Sequence, residues 1–187
     1  MTAIAGFTNG TTVWIGGDAA GSNGHDIECR SDPKVFKNGE MVMGFTTSFR
    51  MGQILQYQLT PPTPYEGENG MTYMVKRFIP AVKQALRHHG FETCSEGRDR
   101  GGTFLVGYRG VLYEIQSDYQ VARCLEPYHA CGSGHALIRG AFYALDGRKM
   151  TPEARITVAL EAAEKFSAGV RAPFTIISTT TPPYNHP

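Results

Sequence analysis

The sequence has no long apolar run. No stretch approaches the roughly 20 residues that a bilayer-crossing helix needs, so a membrane span is not expected. A basic segment followed by an apolar one is missing from the N-terminus, which argues against a secretory signal. Excess charge is missing too. Lys and Arg number 18 against 17 Asp and Glu, a net charge of +1, so neither nucleic acid nor an anionic membrane has an electrostatic claim on the chain. Cysteine is scarce: Cys29, Cys94, Cys124 and Cys131 form no CxxC pair. Four scattered cysteines in a chain without a signal read as free thiols, and the expected compartment is the cytoplasm. No short-period repeat and no linker stands out. The 187 residues therefore read as a single domain, 1–187, in which 179–187 is a polar, proline-bearing tail.

What is present is a succession of short strands and helices. An apolar fraction of 41% and a charged fraction of 19% suit a globular domain. Residues 2–9 and 11–17 predict two strands around Asn9-Gly10, a strong hairpin signal. Residues 18–33 predict a long turn or irregular hairpin. A second hairpin turns at Asn38-Gly39 and a third at Arg109-Gly110. Helices are expected over 48–59, 71–89, 133–145 and from Thr151 to about Ser167, the last with a Thr cap and Pro in its first turn. Residues 91–101 read as a polar, glycine-rich loop, and 173–178 as a last strand. Nothing alternates strand, helix, strand, so a parallel sheet is disfavoured. Two antiparallel sheets face to face, with a helix pair outside each, satisfy the order. That is an α+β, four-layer αββα sandwich.

Chemistry concentrates near the start. If Met1 is removed, Thr2 carries a hydroxyl and a free α-amine on one residue, a nucleophile with its base attached. The reference pKa of such an amine, about 7.7–8.0, suits a general base. Asp18 stands 16 positions later and Lys34 stands 32 later. An ammonium beside the hydroxyl would stabilise a forming alkoxide, and an aspartate would offset the cost of burying that ammonium. Taken singly, each has a plain explanation: a second-position Thr, a turn Asp after Gly-Gly, a surface Lys after a turn.

The Thr–Asp–Lys spacing resembles that of the proteasome β-subunit family, and within it the HslV-type threonine peptidases. Later motifs extend the resemblance over most of the chain. Gly132-Ser133-Gly134 matches the family's Gly-Ser-Gly, whose Ser lies near the terminal amine; by itself it is also a good helix cap. Glu164 and Ser167 match the family's Asp, two residues, then Ser-Gly, with Glu one methylene longer than Asp. Gly44 to Ser48 matches the turn whose backbone N–H faces the oxyanion. Thr47 aligns best with the usual glycine there, with Ser48 the alternative, and the branched side chain of Thr47 would narrow the adjacent pocket.

The resemblance implies the N-terminal nucleophile hydrolase fold and cleavage of polypeptides by Thr2, with Asp18, Lys34, Ser133, Glu164 and Ser167 around it and Thr47 N–H as oxyanion donor. It implies no cofactor, homo-oligomeric stacked rings and an ATP-driven unfoldase as partner. Two alternatives stand beside it: a catalytically silent ring-forming homologue, and a small-molecule amide hydrolase on the same fold. Leu55, Met74 and Val82 are expected to need cover from a neighbouring subunit. His88, His89 and Cys94 lack a second ligand pair and read as a polar helix end rather than a metal site. The other histidines are isolated in sequence.

Overall fold

The computed structural model describes residues 2–22, 25–91, 93–95 and 98–179, without the side chains of 93–95, 98 and 99. Met1, the Cys94 side chain and all but the first residue of the expected tail lie outside the described residues.

Strand β1 (Ala3–Thr8) turns into β2 (Val13–Gly17), with Thr8 opposite Val13. The Asn9 side chain accepts from the N–H groups of Thr11 (3.0 Å) and Thr12 (2.8 Å), which closes the turn. Short strands β3 (Ala20–Ser22) and β4 (Ile27–Cys29) pair within the expected irregular hairpin. β5 (Val35–Asn38) and β6 (Met41–Phe45) follow. The C-terminal half supplies β9 (Phe104–Tyr108), β10 (Val111–Ile115), β11 (Val121–Arg123), β12 (Tyr128–Gly132) and β13 (Thr175–Ser178). Residues 91–101 hold more than the expected loop: β7 (Thr93–Ser95) and β8 (Arg98–Arg100) pair as a hairpin that their polar, glycine-containing sequence conceals.

One sheet has the order β12-β1-β2-β13 and the other β11-β10-β9-β6-β5, and every pairing is antiparallel. Side-chain alternation divides each strand between two layers. Ala3 and Ala5 face the helices α4 (His135–Ala144) and α5 (Pro152–Phe166), while Ile4 between them faces the opposite sheet. Met43 and Phe45 pack toward α1 (Phe49–Tyr57) and α3 (Ile79–His88), while Val42 faces inward. The result is the expected four-layer sandwich. Among the described residues no helix is long and apolar enough to cross a membrane.

Two local features depart from expectation. The helix expected over 71–89 begins at Gly70, capped by the Asn69 side chain, and is interrupted. Between α2 (Gly70–Tyr73) and α3, residues Met74–Phe78 form a π-helical turn in which Ile79 N–H bonds to Met74 O. Pro80 has no N–H to give Lys76 O, so the ladder widens just before it. The second departure is a correction. Leu55, Met74 and Val82 are fully buried in one cluster with Phe78, Phe104 and Tyr113, so none of them needs a neighbouring subunit. Tyr57, Tyr143 and Phe166 are aromatic side chains left exposed on the helices.

Glycines set the distance between the sheets. A Cβ on Gly44 would lie 2.6 Å from Ile4 Cγ2 and 2.7 Å from Ile15 Cγ2. Such a close approach leaves no room for even one methyl group. Gly44→Ala should therefore cost about 1–3 kcal/mol of stability through overpacking. Urea unfolding checks this, and an unchanged midpoint would show that the sheets separate freely.

Candidate active site

The end of β1 brings the candidate residues together, and Asp18 is the hub. It follows β2 directly, where the strand leaves its pairing with Ile4. Asp18 Oδ1 accepts two hydrogen bonds, from Ala3 N–H (2.9 Å) and from Lys34 Nζ (2.7 Å). Asp18 Oδ2 accepts from Ala20 N–H (3.0 Å) and from Arg171 N–H (3.4 Å). Its own N–H donates to Ala3 O (3.2 Å). Lys34 and Asp18 are each 1% exposed. Burial pushes the Lys34 ammonium below its usual value, and Asp18 opposes that shift. The pair is thus a charge and its countercharge locked under the first strand, one peptide unit from Thr2.

Thr2 is fixed from the other side by the turn after β12. Its N–H donates to Ser133 Oγ (3.2 Å), and the Ser133 hydroxyl donates to Thr2 O (3.3 Å). The expected helix start at Ser133 lies two residues early: α4 begins at His135 with Gly134 as its cap, which leaves the Ser133 side chain for Thr2. Gly132 has φ +91°, and a Cβ there would meet Thr2 O at 2.3 Å. The glycine is needed for both reasons.

Glu164 and Ser167 sit at the end of α5 and engage the following loop. Glu164 Oε1 accepts from Ala172 N–H (2.8 Å). Ser167 contributes backbone: its N–H donates to Ala163 O (2.8 Å), and its carbonyl accepts from Val170 N–H (3.3 Å). Arg171, one residue before Ala172, gives Asp18 a backbone N–H. Both residues therefore support the loop that completes the Asp18 shell. Arg171 itself has no sequence signal, because it acts through its main chain.

Thr47 stands at φ +69°, in the left-handed region that a β-branched residue rarely occupies. Its hydroxyl accepts from Thr103 N–H (3.2 Å) and lies 3.3 Å from Thr46 Oγ1. Thr46 in turn donates N–H (3.0 Å) and Oγ1–H (2.8 Å) to Thr103 O. These bonds hold the strained backbone. Thr47 N–H has no acceptor among the described residues and precedes Ser48, the cap of α1. A donor held open at a helix start suits a developing negative charge.

Beside the site, His129 on β12 reaches across to Glu114 on β10, Nε2 to Oε2 at 3.3 Å. His129 is not isolated, as its sequence position implied. Hydrogen bonding to Cys124 and then to Glu114 pushes it up to about 9. His88 and His89 lie edge to face with ring centroids 5.0 Å apart. Among the described residues no group of three or more His, Cys, Asp or Glu is arranged to hold a metal ion.

Neither a family model nor a curated protein matches the sequence. Solved structures do. The chain superposes on Thiobacillus denitrificans BPH in complex with epoxomicin with a TM-score of 0.79 at 18% identity, over 97% of this chain and 100% of that one. It is similar to eukaryotic HslV from Trypanosoma brucei with a TM-score of 0.68 at 18% identity, over 95% and 98%. The fold is therefore the HslV type that the sequence resemblance implies.

Two measurements check the electrostatics. Lys34→Met leaves the Asp18 carboxylate buried without its cation and should cost about 3–5 kcal/mol. Adding Asp18→Asn should recover part of that loss, because the double variant holds no buried charge. Simply additive costs in urea unfolding would mean that the two are uncoupled. His129 gives a pH dependence. A raised pKa means that the folded chain holds the proton longer than the unfolded one, so the stabilisation is complete below 6.5 and is lost as pH rises through about 9. His129→Gln should flatten that part of the stability profile, and an unaltered profile would deny the histidine this role.

Proposed function

We propose that the chain is a threonine-type endopeptidase whose nucleophile is Thr2, freed by removal of Met1, and that it works inside stacked homo-oligomeric rings. One observation carries the reading: a single oxygen of buried Asp18 accepts both the Ala3 N–H and Lys34 Nζ, so the Thr2 peptide and a buried ammonium share one anchor. The HslV-type fold supports it. Exposed Tyr57, Tyr143 and Phe166 on the outer helices are compatible with assembly. Feeding such rings would call for an ATP-driven unfoldase.

The chemistry follows from the groups present. The α-amine of Thr2 takes the proton of its own hydroxyl as Oγ attacks the peptide carbonyl. The Lys34 ammonium favours the alkoxide, and Thr47 N–H donates to the tetrahedral oxyanion. The C–N bond then breaks, the amine proton passes to the leaving nitrogen, and an ester remains on Thr2. Water, deprotonated by the same amine, hydrolyses the ester and regenerates the hydroxyl. Every step uses the chain's own residues.

A silent ring-forming homologue is the second reading, and one observation favours it: Thr47, the expected oxyanion donor, has a strained backbone conformation and a branched side chain. Labelling separates the two. Epoxomicin, the ligand of the Thiobacillus denitrificans structure, should modify the N-terminal peptide of Met1-free protein, as read by intact mass. Thr2→Ala should abolish peptide cleavage, with a loss on the order of 10⁴ to 10⁶, and Thr2→Ser should retain part of it. Protein that keeps Met1 should not be labelled, because its Thr2 nitrogen is an amide. Equal labelling with and without Met1 would move the nucleophile elsewhere, and no labelling of either would favour the silent ring.

A further inference from the structure

The inter-sheet layer is apolar through most of its length and polar at one end. Ile4, Val35, Val42, Leu105, Leu112 and Cys131 fill it. Toward Thr2 the filling stops and a cavity of about 380 Å³ opens. Its inner edge is Thr46 and Gly132, and a Cβ on Gly132 would meet both Thr2 O and Thr46 Cγ2. Its wall is the Glu114–His129 pair, whose side chains are 16% and 19% exposed. Its rim is His135 and Arg139, both exposed on α4.

The charges on this cavity do not cancel. Glu114 is matched by His129 and also accepts from Gln116 Nε2 (3.3 Å). Burial keeps the Cys131 thiol protonated. His135 Nδ1 donates to Gly132 O (2.8 Å), since a carbonyl can only accept, which turns Nε2 away from that bond. The Arg139 guanidinium is left with no hydrogen bond or ion pair among the described residues. A guanidinium at the mouth of a cavity whose other charges are paired selects a planar anion.

We infer that this cavity is a subsite for a carboxylate of the polypeptide substrate, bound by Arg139 with His135 beside it. The inference rests on the peptidase reading and deepens it by giving the site a substrate preference. A subsite at a fixed distance from Thr2 requires the carboxylate at one register position. General attraction to a positive surface would be spread over positions and screened by salt.

The test uses labelled peptides of one sequence, C-terminally amidated, with Asp replacing Asn at each position in turn. A further arm carries Asn throughout and a free C-terminal carboxylate, which separates a side chain from a chain end as the source. The full-length, Met1-free protein should show KM about fivefold lower for Asp than for Asn at one position, or for the free terminus. In Arg139→Gln that acid-to-amide ratio should fall to about one. An equal ratio at every position, no ratio at all, or a ratio that survives Arg139→Gln would overturn the subsite. Should no peptide be cleaved, fluorescence anisotropy of the same peptides reads the same ratio as binding. Epoxomicin labelling of Thr2 reports the peptidase reading separately, so a labelled protein without acid preference loses only the subsite.

Discussion

One buried carboxylate holds the start of this molecule together. Asp18 spends four acceptor positions on Ala3, Ala20, Lys34 and Arg171, drawn from the first strand, the third strand, the chain before β5 and the loop after α5. Burying an ion pair is costly, and the attraction repays the desolvation only when the remaining lone pairs are satisfied. Here they are, by three backbone N–H groups. The same arrangement ties four segments that are distant in sequence to one point. The site is therefore a consequence of how the N-terminal strand is anchored, rather than an addition to a finished fold.

The anchor explains the neighbouring geometry. Ala3 is small and faces α5, so β1 lies close to the helices and its Thr2 end is held in register with Gly132. That register brings Ser133 onto Thr2, and the turn that does so needs the positive φ of Gly132. From the opposite sheet, β6 leads into Thr46 and Thr47, tied to Thr103. Both sheets thus deliver a turn to the same end of the inter-sheet layer. Apolar packing continues up to that end and stops there, which is why a cavity and a cluster of titratable groups occur side by side.

Much of this was legible in the sequence. The order of strands and helices gave the sandwich because alternating residues need two different layers, as Ala3, Ile4 and Ala5 show. The spacing of Asp18 was informative because the β1–β2 hairpin fixes where a residue 16 positions on must fall, and Lys34 returns to the same point after the β3–β4 hairpin. Residues acting through their main chain were not legible. Arg171 N–H and Thr103 N–H could be supplied by almost any side chain, so composition carries no trace of them. The β7–β8 hairpin was hidden by polar residues with weak strand preference. His129 and Glu114 are 15 residues apart, and only the facing of β10 and β12 makes them partners. The expectation about Leu55, Met74 and Val82 failed because α1, the π-helical turn and α3 pack these side chains together against sheet residues such as Phe104, Val106 and Tyr113, so a single core satisfies all three.

Thr47 shows how the fold and the proposed chemistry pull against each other. A β-branched residue at φ +69° costs energy that glycine would not. Its hydroxyl recovers some of that cost by accepting the Thr103 N–H, a bond that glycine could not make. The exchange has a consequence for function. With glycine the amide at this position would be free to reorient; with threonine it is latched to the start of β9. A latched donor loses adaptability and gains a fixed direction, and electrostatic stabilisation of a transition state depends on direction being set beforehand. The hydroxyl that glycine would lack thus holds the amide in place, at the cost of a strained backbone.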